Sequence, residues 1–187
     1  MNKNAALLLI DVQKGFHDSV WGPRNNLSAE ENIHKLLIHF RETGASVIHV
    51  QHLSIEDNSP LCPGLPGVEF IDGMAPRLGE RIFQKTVNSA FIGTGLKRYL
   101  RHASINTLIM VGFTSDHCIS TSARMAANLG FKVLIVSDAT ATFQRVSSSG
   151  EKIAAESVHQ ISLASLAHEF AEIKTTCEIL RISQVEK

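Results

Sequence analysis

Four mostly apolar segments of strand length alternate along the chain with segments in which apolar residues recur at helical spacing. They cover residues 5–11, 46–52, 106–113 and 131–137. Strands that are apolar on both faces must be covered on both sides, as in parallel sheets with helices above and below. The alternation therefore predicts a three-layer, Rossmann-like α/β domain with about six mostly parallel strands.

The other elements follow from helical spacing and from stop signals. Helices are predicted over residues 27–43, 95–102 and 115–129, from a capping box at Ser148 and Glu151 to about Glu169, and from about Thr176. Short strands are predicted over 81–85 and 171–174. Residues 53–79 hold four of the five prolines and predict a long loop, a feature that often closes an active site. No domain boundary is evident, so residues 1–187 are predicted to form one domain.

Charge and composition exclude several classes of protein. Lys plus Arg and Asp plus Glu both number 18, which argues against a dedicated nucleic-acid binder. The first apolar run stops at Asp11, too early for a signal peptide, and no segment reaches the 18 or so apolar residues of a membrane span. Three widely spaced cysteines without a C-x-x-C indicate a reduced compartment. We expect a cytoplasmic protein that binds neither nucleic acid nor membrane.

Common cofactor and metal motifs are incomplete in this sequence. Gly93-Thr94-Gly95 would need a third glycine at Arg98, and the chain has neither a P-loop nor a G-x-S-x-G nucleophile elbow. His49 and His52 are three residues apart on a predicted strand, so their side chains point to opposite faces. We therefore predict neither a cofactor nor a metal.

Chemically active side chains follow the ends of the predicted strands. Asp11, His52 and Lys85 end the first three, and residues 114–118 follow the fourth. Ligands of open α/β sheets bind at this edge. Cys118 falls in the first turn of a helix, where the helix dipole and a nearby Lys85 should lower the thiol pKa. The alternatives are a buried structural cysteine at 118, a helix-capping or turn residue at 11 and a solvated surface lysine at 85.

The segments around these positions resemble the isochorismatase-like cysteine hydrolases, a family that includes nicotinamidases and N-carbamoylsarcosine amidohydrolases. The resemblance covers nearly the whole chain. It rests on residues 6–16 (ALLLIDVQKGF), 85–91 (KTVNSAF), 112–119 (GFTSDHCI) and 130–143 (GFKVLIVSDATATF). It implies Asp11 as proton acceptor, Lys85 as the cation that holds the thiolate, and Cys118 as nucleophile.

The resemblance also implies features around the nucleophile. The backbone N–H groups of Thr114 and Cys118 would form an oxyanion hole beside a cis peptide at Phe113–Thr114. Homo-oligomers, dimers or tetramers, are usual in the family. The expected walls of the substrate pocket, with core packing as the alternative for each, are Phe16, Trp21, His52, Phe113 and Phe143.

The predicted function is hydrolysis of an amide or carbamoyl bond of a small molecule through a thioester. Metal-dependent nicotinamidases of the family carry an Asp-x-His pair where residues 50–54 read VQHLS, which argues against that subgroup. Members that cleave isochorismate lack the cysteine present here. Cleavage of another bond, such as a vinyl ether, and a non-catalytic thiol protein on the same fold remain as alternatives.

Overall fold

The computed structural model describes residues 4–185, so the predicted domain of residues 1–187 extends beyond the described part at both ends. Its main element is a six-stranded sheet in which every neighbouring pair is parallel. Its strands are β1 Ala5–Ile10, β2 Ser46–His52, β3 Arg81–Lys85, β4 Thr107–Phe113, β5 Lys132–Ala141 and β8 Glu172–Lys174. A separate antiparallel pair consists of β6 Arg145–Val146 and β7 Lys152–Ile153. This sheet confirms the predicted α/β class.

The sheet order is β3-β2-β1-β4-β5-β8, so the strand order reverses at β1, which pairs with β2 on one side and β4 on the other. The helices are α1 Ala29–Glu42, α2 Leu96–His102, α3 Ser120–Asn128, α4 Ala155–Leu166 and α5 Thr176–Val185. A crevice outside the carboxyl ends of β1 and β4 is the expected ligand site of such a sheet.

Alternation along β1 explains why both faces of the sheet are covered. Leu7 and Leu9 pack in one hydrophobic cluster with residues of α1 and α5. Ala6, Leu8 and Ile10 pack in the other, with residues of α2, α3 and α4. All six residues of β1 are buried, so the apolar run reflects cover on two sides. None of the helices within residues 4–185 is both long and apolar enough to cross a membrane.

Two local predictions were wrong. Ser148 and Glu151 do not cap a helix, because α4 begins only at Ala155. Instead, Glu151 lies in the turn between β6 and β7, where its N–H donates to Ser147 Oγ. Residues 138–141, predicted as loop, extend β5 after an irregularity opposite Met110 and Gly112. The short polar spacing of a capping box also fits a hairpin turn, so it could not distinguish the two.

Candidate active site

Three strand ends bring Asp11, Lys85 and Cys118 together at the switch point. Asp11 directly follows β1 with φ of 55°, and its N–H donates to Val50 O of the neighbouring strand. Lys85 is the last residue of β3, in register with His52 of β2. Cys118 lies in a π-helical turn, Ser115–Ile119, between β4 and α3. The predicted convergence of these side chains is therefore present.

The Lys85 ammonium lies at the centre of the site. Its Nζ is 2.7 Å from Asp11 Oδ2, 3.3 Å from Cys118 Sγ and 3.0 Å from His52 Nδ1. An ammonium has three donors and no acceptor, so each of these partners accepts one hydrogen bond. Lys85 is 2% exposed, which excludes the alternative of a solvated surface charge.

The Asp11 carboxylate has one engaged oxygen and one free oxygen. Oδ2 accepts from Lys85, whereas Oδ1 is buried and has no hydrogen-bond partner within residues 4–185. A carboxylate oxygen of Asp11, a ring nitrogen of His52 and Cys118 Sγ all lie within 4.8 Å of one another. The Asp11 carboxylate therefore lies beside the thiol and has one oxygen that no hydrogen bond from the described residues occupies.

The Cys118 thiol has a raised pKa, so the predicted lowering was wrong. Cys118 is 7% exposed, and burial is the largest cause of the increase. The Asp11 carboxylate raises the pKa further, while Lys85 lowers it without reversing the direction. The sequence showed the helix terminus and the lysine but not the desolvation. The surroundings of Cys118 therefore favour the protonated thiol.

The chain bends sharply between β4 and the thiol. Gly112 has φ of 119°, the Phe113–Thr114 peptide bond is cis as the resemblance implied, and the π-helical turn follows at once. Thr114 is 4% exposed, and its Oγ1 has no hydrogen-bond partner in the described part of the chain. Both Thr114 and Cys118 line the cavity described below.

Asp11, His52 and Cys118 could in principle hold a metal ion, because their potential ligand atoms lie close together. Lys85 already donates a hydrogen bond to each of the three. Its charge also opposes the approach of a second cation. The arrangement is that of a cation site filled by an ammonium.

A cavity of about 500 Å³ opens over the thiol, a size suited to a small molecule. Phe16, Trp21 and His52 line it, as predicted. The further lining residues are Asp11, Ser54, Ile55, Glu56, Ser59, Leu61, Thr86, Val87, Asn88, Thr114, His117, Cys118 and Arg145. Five of these, from Ser54 to Leu61, belong to the long loop over residues 53–79, which therefore forms one wall.

Phe113 and Phe143 do not line this cavity, so their predicted place in the pocket was wrong. Phe113 is fully buried, and its ring centroid lies 5.3 Å from that of Phe16. Phe143 stacks on Phe16 and Trp21 at 6.2 and 5.9 Å. Phe16 and Trp21 form an aromatic wall of the cavity. Both phenylalanine rings are buried in the core and pack behind this wall.

Several residues at the site were missed by sequence reasoning. Asn88, three positions after Lys85, accepts a weak hydrogen bond from the thiol at 3.7 Å. Arg145 lines the cavity and forms an ion pair with Asp116 at 2.7 Å. The only sequence feature that indicated Asn88 was its position in the segment around Lys85. The partners of the ion pair are 29 positions apart, so no local pattern could pair them.

A buried pair behind the nucleophile was also missed. Ser115 Oγ and His159 Nδ1 are 2.7 Å apart, and both residues are nearly inaccessible to solvent. His159 belongs to α4, 44 positions from the π-helical turn, so no local pattern could pair them. Burial lowers the pKa of His159, so the neutral ring can accept the serine proton. The contact ties the turn that carries Cys118 to α4.

Comparisons with known proteins agree with this fold. The model of the isochorismatase domain matches residues 5–178. The uncharacterized isochorismatase family protein YrdC of Bacillus subtilis is 44% identical, over 96% of this chain and 96% of that protein. A crystal structure of an isochorismatase-family protein from Chromobacterium violaceum superposes with a TM-score of 0.92 at 39% identity, over 96% and 93% of the two chains. The maleamate amidohydrolase of Pseudomonas putida is 27% identical over 72% of this chain and 70% of its own.

Proposed function

The chain belongs to the isochorismatase family of hydrolases, and we propose that it hydrolyses an amide or carbamoyl C–N bond of a small molecule through a thioester on Cys118. The observation that carries this proposal is the contact of one buried ammonium, Lys85 Nζ, with both a carboxylate and a thiol. Asp11 and Cys118 line a cavity of about 500 Å³, and the buried Lys85 contacts both. Nucleophile, base and cation are the parts that acyl transfer to a thiol requires.

In the first half of the reaction, Asp11 takes the thiol proton of Cys118 and the sulfur attacks the carbonyl carbon. Burial raises the pKa of the thiol, which favours a mechanism in which a neighbouring base removes its proton. The C–N bond of the tetrahedral intermediate then breaks. The leaving nitrogen takes the proton from Asp11, which leaves an acyl group on sulfur. A positioned base of this kind contributes roughly 10²–10⁴-fold to the rate.

In the second half, Asp11 takes a proton from water as the water oxygen attacks the thioester carbon. The C–S bond breaks, a carboxylic or carbamic acid leaves, and the sulfur recovers the proton from Asp11. Lys85 takes no part in these proton transfers; its three hydrogen bonds hold Asp11, the sulfur and His52 in place. Each proton removed in one step is therefore returned in the next.

The oxyanion of both intermediates would be bound by the N–H groups of Thr114 and Cys118. The first N–H groups of a helical segment have no partner within it, and they carry the positive end of its dipole. Loss of one such donor typically costs about 3–4 kcal/mol of barrier.

The choice of a C–N bond has two supports. The chain has the cysteine that isochorismate-cleaving members lack, and one relative is named an amidohydrolase. The aromatic wall of Phe16 and Trp21 suits a flat acyl or carbamoyl group, and Asn88 and Glu56 in the same lining offer polar contacts. We propose that the substrate is a small molecule and that no cofactor takes part.

The test is ammonia release from a panel of small amides and ureides by wild type, Cys118→Ala and Cys177→Ala. Cys118→Ala should lose at least about 10³-fold in turnover, because no nucleophile remains. Cys177 is exposed on α5, so Cys177→Ala should match wild type. Circular dichroism should show the same fold in all three. Turnover that survives in Cys118→Ala would assign the cleavage to a mechanism without the thiol.

A further inference from the structure

We propose that His52 recognises the substrate as a hydrogen-bond donor: its ring is held in the Nε2–H tautomer, and Nε2–H binds an acceptor oxygen of the substrate. The inference deepens the proposed function, on which it rests. It specifies the substrate class as an amide or carbamoyl compound whose carbonyl or neighbouring carboxyl oxygen reaches the β2 side of the cavity.

The tautomer follows from the contact with Lys85. His52 Nδ1 is 3.0 Å from Lys85 Nζ, and an ammonium can only donate. Nδ1 must therefore accept and carries no proton. A neutral imidazole with an unprotonated Nδ1 has its proton on Nε2. The neutral state is favoured because burial and the Lys85 charge lower the His52 pKa, against smaller opposing effects of Asp11 and Glu56.

The second nitrogen is free to meet a ligand. Nε2 of His52 makes no hydrogen bond within residues 4–185. It is also absent from the buried side-chain atoms of that part of the chain that lack a partner, so it is not sealed from solvent. The residue is half-buried and lines the cavity beside Cys118. One nitrogen of the ring is thus engaged by the triad, and the other is accessible from the cavity.

A buried glutamine fixes the position of the ring. Gln13 is 0% exposed; its Oε1 accepts from His52 N at 2.8 Å, and its Nε2 donates to His52 O at 2.9 Å. The same Nε2 lies 3.0 Å from Val68 O of the long loop. A side-chain amide that satisfies both backbone groups of one residue leaves little freedom for that residue to move. This rigidity suits a group that orients a ligand.

Two substitutions separate the functions of the two nitrogens. In His52→Asn, the side-chain oxygen can stand near the position of Nδ1 and accept from Lys85, but nothing replaces the Nε2 donor. In His52→Gln, the longer side chain can place its NH₂ near the position of Nε2 and keep the donor. His102→Asn, at the exposed end of α2, is the matched control for histidine removal.

The first measurement determines by ¹⁵N NMR at neutral pH which ring nitrogens of His52 are protonated. The signals that disappear in His52→Asn identify the resonances of His52. We expect an unprotonated Nδ1 and a protonated Nε2. This readout is independent of any activity, so it stays valid if the proposed hydrolysis fails. A proton on Nδ1, or a doubly protonated ring, would overturn the inference.

The second measurement compares the alkylation of Cys118 by iodoacetamide, which has an acceptor oxygen, with that by iodoethane, which has none. Cys62 and Cys177 are replaced by Ser throughout. Because both reagents react with the same thiolate, the ratio of the two rates does not depend on a change in thiolate reactivity. It should fall roughly three- to tenfold in His52→Asn, the value of one hydrogen bond, and less in His52→Gln. His102→Asn should not change it. An unchanged ratio in His52→Asn would show that Nε2–H contacts no acceptor.

Discussion

At the scale of single residues, Lys85 is a buried charge that depends on hydrogen bonds to its neighbours. Its ammonium is removed from water and retains three hydrogen bonds, one of them to a buried carboxylate at 2.7 Å. Taking a charge out of water is costly unless such partners compensate it. Lys85 also donates to the thiol, so one side chain compensates the charge of Asp11 and stabilises the thiolate when it forms.

Replacing this cation should make the thiol harder to ionise. Lys85→Met removes the group that lowers the pKa of Cys118 and leaves the two groups that raise it, burial and Asp11. We expect the pH profile of iodoacetamide alkylation to move to higher pH by about one to three units, since each unit corresponds to about 1.4 kcal/mol. Cys62 and Cys177 are replaced by Ser for this measurement.

The control for this prediction is Lys97→Met, which removes a lysine on the exposed face of α2. Its alkylation profile should match that of the parent. Near-ultraviolet circular dichroism should verify that Lys85→Met keeps its tertiary structure despite the unpaired Asp11. Superimposable profiles for Lys85→Met and the parent would mean that the ammonium does not act on the sulfur.

At the scale of elements, the end of β4 determines how closely Asp11 and Cys118 approach. Gly112 is the register partner of Ile10, the residue before Asp11. A Cβ at position 112 would lie 2.0 Å from Ile10 O, far inside van der Waals contact. Glycine therefore allows β1 and β4 to approach where the segments that follow them carry Asp11 and Cys118. The π-helical turn then directs Cys118 back toward Asp11.

Gly112→Ala should be strongly destabilising, because neither the backbone angle nor the space admits a methyl group. We expect a loss of more than about 4 kcal/mol in the free energy of unfolding, or failure to fold. Gly150→Ala is the matched control: Gly150 also has positive φ, 85°, but open space around its Cβ. It should lose only about 1 kcal/mol. Equal losses in urea titrations would show that the backbone angle alone, not the strand approach, limits position 112.

At the scale of the whole molecule, buried histidines link folding to pH. His49 of β2 and His159 of α4 are 0% and 2% exposed. Burial lowers the pKa of both below the ordinary 6.5, although Glu80 beside His49 and Glu156 near His159 oppose the change. The folded chain thus keeps these rings neutral at a pH where the unfolded chain binds protons. Stability is complete above about pH 6.5 and is lost as the pH falls below it.

We therefore expect the free energy of unfolding to fall between pH 7.5 and 5.5, by at most about 1.4 kcal/mol per histidine and pH unit below 6.5. Glu80 does not contribute in this range, because its pKa is lowered to about 2 by Arg41 and other donors. His159→Asn keeps an acceptor for Ser115 and should reduce the pH dependence, whereas His102→Asn should not. The same slope in urea titrations of wild type and His159→Asn would contradict the assignment.

Assembly and location remain predictions at this scale. The resemblance to the family implies a dimer or tetramer, and the cysteine usage favours the cytoplasm. Ile55 at the cavity is 78% exposed, and Val87 beside it is 42% exposed, so the cavity has an apolar rim. The single domain over residues 1–187 also remains a prediction.

Local patterns in the sequence were enough to predict most elements of the fold and the three residues of the candidate triad. The spacing of apolar residues and the helix stop signals depend only on neighbours in the chain. They were therefore enough to predict β1, β2, β4 and most helices. Asp11, Lys85 and Cys118 were identified because strand ends of a parallel sheet share one edge. The motifs that carry the family resemblance are likewise continuous in sequence.

Only the tertiary structure decided what surrounds these residues. The pKa of Cys118 rises because desolvation outweighs Lys85, and desolvation depends on the whole fold. The fixation of His52 by Gln13 joins positions 39 apart, and that of Ser115 by His159 joins positions 44 apart. Phe143 packs into the core instead of lining the cavity, which likewise depends on residues distant in sequence. Hydrogen bonding and burial are properties of neighbours in space, which a linear pattern does not specify.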